Sequence, residues 1–138
     1  NKNMTFEEML ALKKKGHIRK KSDNKEHRLQ SACVRWFRHQ YPKLSKVLFA
    51  IPNAARRSAR NGAYMKEEGM LSGVADIILL KSNRFYGALA IEMKTDDGTQ
   101  RHSQKEWQRE CESAGNKYVI CRSFEDFKRE IENYIKDM

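Results

Sequence analysis

The stretch GVADIILLKSNRFYGALAIEMKT, residues 73–95, decides the fold. It holds two apolar runs, 74–80 and 87–94, separated by a polar segment around Ser82, Asn83 and Arg84. Short apolar runs bounded by turn residues read as β-strands, and the polar link between them predicts an antiparallel hairpin. Each run carries one acid where the pattern otherwise places apolar residues: Asp76 in the first and Glu92 in the second. A buried carboxylate is costly unless it is paired, hydrogen-bonded or bound to a cation, so both acids require a partner.

Strand geometry says what that partner is. Successive side chains alternate faces, which puts Leu89, Ile91 and Met93 on one side of the second strand and Ala90, Glu92 and Lys94 on the other. Folding the chain about Arg84, midway between the two acids and inside the polar turn, sets Asp76 across from Glu92. Two carboxylates about 4 Å apart repel by roughly 4 kcal/mol at an effective dielectric of about 20, and a cation between them resolves the repulsion. An all-oxygen site with few protein ligands suits magnesium or manganese, which keep waters and accept phosphate oxygens. Such an ion orients a phosphodiester and acidifies a bound water, while Lys94 is placed to hold that water or offset charge growing on phosphorus. The same three residues also fit a structural salt bridge at a strand end, and their spacing alone leaves both readings open.

Outward from the hairpin, residues 25–40 place Glu26, Leu29, Gln30, Cys33, Val34 and Phe37 on one helical face, with Asp23 or Asn24 as cap and Pro42 beyond the end. KVLFAIP, residues 46–52, reads as a short strand, followed by a basic segment, 53–60, and a mixed helix-or-loop stretch to Glu68. On the other side, residues 103–114 return to helical spacing with Gln104, Trp107, Cys111 and Ala114 aligned and Gly115 as a stop. KYVIC, residues 117–121, is a further strand. The last helix, 123–138, is capped by Ser123 and turns Phe124, Phe127, Ile131, Tyr134 and Ile135 inward. The order is therefore α, β, β, β, α, β, α. Residues 1–24 form a basic N-terminal arm, with a short helix on Phe6, Met9 and Leu12; residues 25–138 form the domain proper.

With 138 residues the chain fits one domain, and its composition, 39% hydrophobic and 33% charged, is that of a soluble globular protein. The 28 Lys and Arg against 18 Asp and Glu leave a formal charge of +10, which favours a polyanion and above all nucleic acid. Charge by itself also fits a solvated basic surface or a membrane surface. Cys33, Cys111 and Cys121 form no CxxC pair and read as buried free thiols, consistent with a reducing intracellular compartment. No apolar run of membrane-spanning length and no secretory leader is evident. His17, His27, His39 and His102 lack the spacing of a histidine metal site. Glu26 could add a third carboxylate to a metal or its water shell, and Gln104 could hydrogen-bond a ligand or phosphate. Arg56, Arg57, Ser58 and Arg60 are candidate phosphate contacts; an exposed loop is the plainer reading of that segment.

Five stretches in this order, EHRLQ (26–30), NAARRS (53–58), EEGMLSGVADIIL (67–79), GALAIEMKT (87–95) and SQKEW (103–107), resemble the VRR-Nuc family of the PD-(D/E)XK nuclease superfamily. The resemblance runs from Glu26 to Tyr134. It implies a restriction-endonuclease-like α/β core, a central mixed sheet of about four strands flanked by helices. It implies that Asp76 and Glu92 bind a divalent metal, Mg2+ or Mn2+, with the Met93 carbonyl as a further ligand and Glu26 acting through water. Lys94 matches the catalytic lysine, and Gln104 the glutamine bordering the site. Ala75 stands where the family commonly has proline, which predicts a slightly altered turn with Asp76 retained.

The chain looks like the small stand-alone members. These resemble Holliday junction resolvases in being homodimers that cut branched DNA, and a two-fold dimer matches the symmetry of such junctions. The leading expectation is a structure-specific, metal-dependent endodeoxyribonuclease. The alternatives are a sequence-specific or exonucleolytic enzyme on the same core and a non-catalytic DNA-binding protein. No separate sequence-reading module is apparent, and clustered acids do not help a simple binder of polyanions.

Overall fold

The computed structural model describes residues 4–11, 24–52 and 59–138. In chain order its elements are α1 (Phe6–Ala11), α2 (Asn24–Gln40), β1 (Leu48–Ala50), α3 (Ala59–Glu67), β2 (Ile77–Leu79), β3 (Leu89–Met93), α4 (His102–Ser113), β4 (Lys117–Cys121) and α5 (Phe124–Ile135). The hairpin forms in the expected register: Ile77 faces Ile91, Ile78 faces Ala90 and Leu79 faces Leu89. One further step along that register sets Asp76 opposite Glu92. The tip is held by Asn83, whose Oδ1 accepts from the amides of Phe85 and Tyr86 at 2.9 and 2.8 Å. Its Nδ2 donates to the Tyr134 carbonyl at 3.0 Å, which ties the turn to α5.

β1 joins β2 antiparallel on one side, and β4 joins β3 parallel on the other, giving one mixed sheet in the order β1-β2-β3-β4. Parallel neighbours require a crossover, and α4 supplies it. This is the four-stranded α/β core expected from the sequence. β1 spans only Leu48–Ala50 where the reading gave 46–52, although bonds from Leu80 N to Val47 O and from Ile51 N to Asp76 O continue the pairing at both ends. The undecided stretch before Glu68 is helix α3.

Strand alternation sorts the side chains into two layers. Leu48, Ile77, Leu79, Leu89, Ile91, Met93, Val119 and Cys121 pack with α2 and α5 in the larger one. Ala90 and Tyr118 meet Cys111 and Trp107 of α4 in the smaller. The buried stripe of α2 is Leu29, Ala32, Cys33, Trp36 and Phe37; it keeps Leu29, Cys33 and Phe37 of the expected row and has Ala32 and Trp36 in place of Glu26, Gln30 and Val34. Apolar width explains the difference. Trp36, fully buried, has its ring edge-on to Phe124 and Phe127, and this pulls the contact face around the helix. Glu26, Gln30 and Val34 are left as an i, i+4 row on the shoulder. Met9 of α1 is fully buried in the same layer, and Phe6 lies 5.8 Å from Phe124 between ring centroids.

Ser123 caps α5 as expected, its Oγ accepting from Asp126 N at 3.0 Å. All three cysteines are free and buried. Burial raises their thiols, that of Cys121 to about 12, so they stay protonated and unreactive. Among the described residues no helix is long and apolar enough to cross a membrane.

Candidate active site

The sheet carries its acids at one end of the hairpin. Asp76 directly precedes β2, and its Oδ2 accepts from Met93 N at 2.7 Å, fastening the carboxylate across the β2–β3 pair. Glu92 is only 2% exposed, on the α4 face of β3 as alternation requires. Its Oε2 accepts from Gln104 Nε2 at 2.9 Å, and its Oε1 accepts from the Tyr118 hydroxyl at 3.4 Å. Lys94 Nζ lies 3.9 Å from Glu92 Oε2, with the lysine side chain 17% exposed.

Burial pushes the Glu92 carboxyl well above the ordinary glutamate range, and the neighbouring Asp76 carboxyl pushes it further; Lys94 and Tyr118 only partly offset this. A pair of adjoining acids in a desolvated site is unfavourable when both are charged. The folded protein thus favours a protonated Glu92 carboxyl beside Asp76, with Lys94 offsetting only part of the cost of charging both.

Gln104 has two tasks. Its Oε1 accepts from the amide of Arg101 at 2.8 Å, closing the first turn of α4, which leaves Nε2 free to donate to Glu92. The helix start therefore fixes which way the amide points. The loop between Lys94 and α4 is held as well. Arg122 Nη1 donates to the carbonyls of Asp96 and Gly98 at 3.1 and 2.6 Å, and Lys25 of α2 pairs with Asp96 at 2.7 Å.

Of the residues singled out in the sequence, Asp76, Glu92, Lys94 and Gln104 come together, and Met93 contributes its backbone amide to Asp76. Glu26 lies on α2, lining an open groove between α2 and β1 that Asp76 also lines. It does not complete a three-acid cluster: among the described residues no group of three His, Cys, Asp or Glu stands ready to hold an ion. Arg56, Arg57 and Ser58 lie outside the described residues, as does the side chain of Arg60, whose backbone belongs to α3. His102 is solvent-facing, 3.3 Å from Glu106, and His27 lines the groove beside Glu26.

Sequence reasoning missed Tyr118, Gln100 and Gln108. Gln100 Nε2 donates to Tyr118 Oη at 3.1 Å and to Gln108 Oε1 at 2.9 Å, so a chain of neutral groups runs from the surface of α4 to the Glu92 carboxylate. The parallel β3–β4 register, which sets Tyr118 beside Ala90 and Ile120 beside Glu92, makes that chain possible. No periodicity within residues 117–121 reveals it.

A mixed sheet with two carboxylates and a lysine at one end of its central hairpin defines an α/β nuclease core. The VRR-NUC domain model matches residues 15–125, and the chain belongs to the VRR-NUC family. Membership makes this a nuclease-type domain that acts on DNA. A solved structure described as a VRR_NUC domain protein shares the fold, with a TM-score of 0.71 and 24% identity over 81% of this chain and 88% of that one. No curated protein matches the chain.

Proposed function

We propose that the domain is a divalent-metal-dependent endodeoxyribonuclease specific for branched DNA, acting as a homodimer. The observation that carries this reading is the side-by-side placement of Asp76 and Glu92, with Lys94 on the same face. Buried like charges call for a cation, and the donor set is all oxygen, which fits Mg2+ or Mn2+. Asp76 and Glu92 would hold the ion, with the Met93 carbonyl as a further ligand and Glu26 reaching it through water. When bound, the metal supplies Lewis acidity toward a phosphodiester and acidifies a water. Lys94 steadies the attacking water and offsets charge on the phosphorus oxygens. Gln104 and Tyr118 keep the Glu92 oxygens turned toward the site. The basic surface, +10 overall, draws in the phosphate backbone.

The test is cleavage of a four-way junction, a linear duplex and a single strand, with magnesium or with EDTA. Cleavage in magnesium that disappears in EDTA, and that drops roughly 10^3-fold in Lys94→Ala, is expected. Cleavage persisting in either control overturns the mechanism, and a duplex cut as fast as the junction overturns the preference for branches. Sedimentation of the protein–junction complex reads the dimer.

Tyr118→Phe keeps the ring packed against Trp107, 6.0 Å away between centroids, and removes only the hydroxyl. Partners that orient a metal ligand commonly contribute 10–100-fold to affinity. Mn2+ binding followed by electron paramagnetic resonance should weaken about tenfold, with thermal stability nearly unchanged. Unaltered Mn2+ affinity would remove Tyr118 from the site.

A further inference from the structure

We infer that the tip of the β2–β3 hairpin is a second DNA contact, a rigid platform on which Phe85 stacks an unpaired base away from the cleavage site; this rests on the reading of DNA as substrate above. Residues 80–88 join the ends of β2 and β3 that lie opposite Asp76 and Lys94. The two strands, three and five residues long at about 3.3 Å per residue, hold the tip and the acids roughly 15–20 Å apart. At about 3.4 Å per nucleotide of a duplex strand, that is the length of about five base pairs.

Burying a phenylalanine ring is favourable, yet this turn holds one out. Phe85, 64% exposed, is the most open large apolar side chain among the described residues. The backbone that carries it is fixed. The Phe85 amide donates to Asn83 Oδ1 at 2.9 Å, the Arg84 amide donates to the Asp137 carbonyl at 2.7 Å, and the Tyr134 hydroxyl donates to the Lys81 carbonyl at 2.6 Å. Tyr86, next in the chain, stacks on Tyr134 with ring centroids 6.5 Å apart and so anchors its side of the turn on α5. A ring already held in place loses little entropy when a flat partner settles on it.

Charge says what that partner is. KSNRFYG, residues 81–87, carries two cations and no acid. The Arg84 guanidinium lies 5.4 Å from the centroid of the Phe85 ring, and Lys117 Nζ lies 6.0 Å from that of Tyr86. Of the acids alongside, Glu130 pairs with Lys117 and Arg129, and exposed Asp137 is outnumbered by Lys81 and Arg84. Cations set beside an open ring suit a single nucleic-acid strand: the ring takes the face of a base, and the cations take the phosphates on either side. A base inside a duplex has its faces covered by its neighbours, so the ring requires one that is unpaired. Branched DNA offers both partners at once, a phosphate for Asp76, Glu92 and Lys94 and an unpaired base about five pairs away.

Binding of a short oligothymidine strand, and of the same strand with its bases removed, is followed by fluorescence anisotropy in EDTA. The native protein is compared with Phe85→Ala, Phe85→Leu, Phe85→Trp and Arg84→Gln, with thermal melts to check that each folds. Phe85→Ala should weaken binding roughly five- to hundredfold, the range for losing one stacked base. Phe85→Leu, apolar but without a π face, should weaken it as much, whereas Phe85→Trp should bind like the native protein. Arg84→Gln should reduce the slope of log affinity against log salt by about 0.7, the value for one phosphate of a single strand, and the Phe85 variants should leave that slope alone. On the strand without bases, the native protein and Phe85→Ala should bind equally.

Full affinity in Phe85→Ala or in Phe85→Leu overturns the proposal, as does an equal loss in Phe85→Ala on strands with and without bases. An oligomer that dissociates in Phe85→Ala, read by sedimentation, would make the tip a contact between copies and overturns it too. Cleavage of a saturating, fully paired duplex in magnesium keeps the two readings apart. If the native protein cuts nothing yet binds the strand through Phe85, the platform stands and the nuclease reading fails. If it cuts and Phe85 makes no difference to strand binding, the nuclease reading stands and the platform fails.

Discussion

Glu92→Gln is expected to abolish metal-dependent cleavage while raising the melting temperature of the metal-free protein at pH 8. The two effects have one origin. The carboxylate is 2% exposed and adjoins Asp76, which raises its pKa from an ordinary value of 4.5 to about 8. In the unfolded chain the group titrates near its ordinary value, so between those limits the folded state binds more protons than the unfolded one. The stability linked to Glu92 is thus fully present below about pH 4.5, falls as pH rises, and is lost above about pH 8.

A neutral amide does not titrate. Its single oxygen can still accept from Gln104, while its nitrogen, standing in the Oε1 position, can donate to the Tyr118 hydroxyl or to Asp76. At pH 8 the substitution should stabilise the metal-free protein by about 2–4 kcal/mol, or roughly 5–10 °C, with little difference near pH 4.5. Differential scanning calorimetry across that pH range in EDTA reads this directly. Magnesium or manganese should then raise the melting temperature of the native protein and leave the variant unmoved, since an ion that binds only the folded state stabilises it by mass action. Cleavage should fall by 10^3-fold or more. A variant that melts lower than the native protein at pH 8, or that retains its response to metal, would mean that Glu92 is a structural ion-pair partner of Lys94. That alternative is the one which strand spacing alone left open.

What the sequence disclosed, and what it withheld, follows the range of the interactions involved. Asp76, Glu92 and Lys94 were readable because alternation and hairpin symmetry are local rules, and the polar turn centred on Arg84 indicates the register before its bonds to Tyr134 and Asp137 are known. Gln104 was readable from helical spacing, although its second task, accepting from Arg101 N, was not. Tyr118 was out of reach because a parallel register is set by the whole crossover through α4. The inward face of α2 was legible only in part for a related reason. Leu29, Cys33 and Phe37 of the row from Glu26 to Phe37 are buried as spacing requires, but the tertiary demand of burying Trp36 against α5 turns the face toward Ala32 and Trp36 and away from Glu26 and Gln30. That shift places Glu26 and Gln30 on the groove. Residues 53–58, where three of the candidate phosphate contacts fall, lie outside the described residues.

Gly73 opens the stretch that decides the fold, and its importance is a matter of backbone space. It adopts φ +85°, and a Cβ there would stand 2.3 Å from the Ser103 carbonyl oxygen and 3.0 Å from Gln104 N. The loop that leads into Asp76 therefore lies directly on the first turn of α4, the turn that aims Gln104 at Glu92. Gly73→Ala must strain the left-handed backbone, at about 1–2 kcal/mol. It must also push the two segments apart, loosening the Gln104 bonds to Glu92 and to Arg101 N at about 1 kcal/mol each. A loss of about 3–5 kcal/mol is expected, a fall in melting temperature of roughly 10 °C or more. Gly69 supplies the comparison. It has φ +113°, but nothing lies within 4 Å of its would-be Cβ, so Gly69→Ala carries the backbone strain alone. Calorimetry of the two variants separates conformation from contact. Similar melting temperatures would show that the loop does not rest on α4, whereas a much larger loss at Gly73, accompanied by weakened Mn2+ binding, ties the placement of Asp76 to that of Gln104 through one missing methyl group.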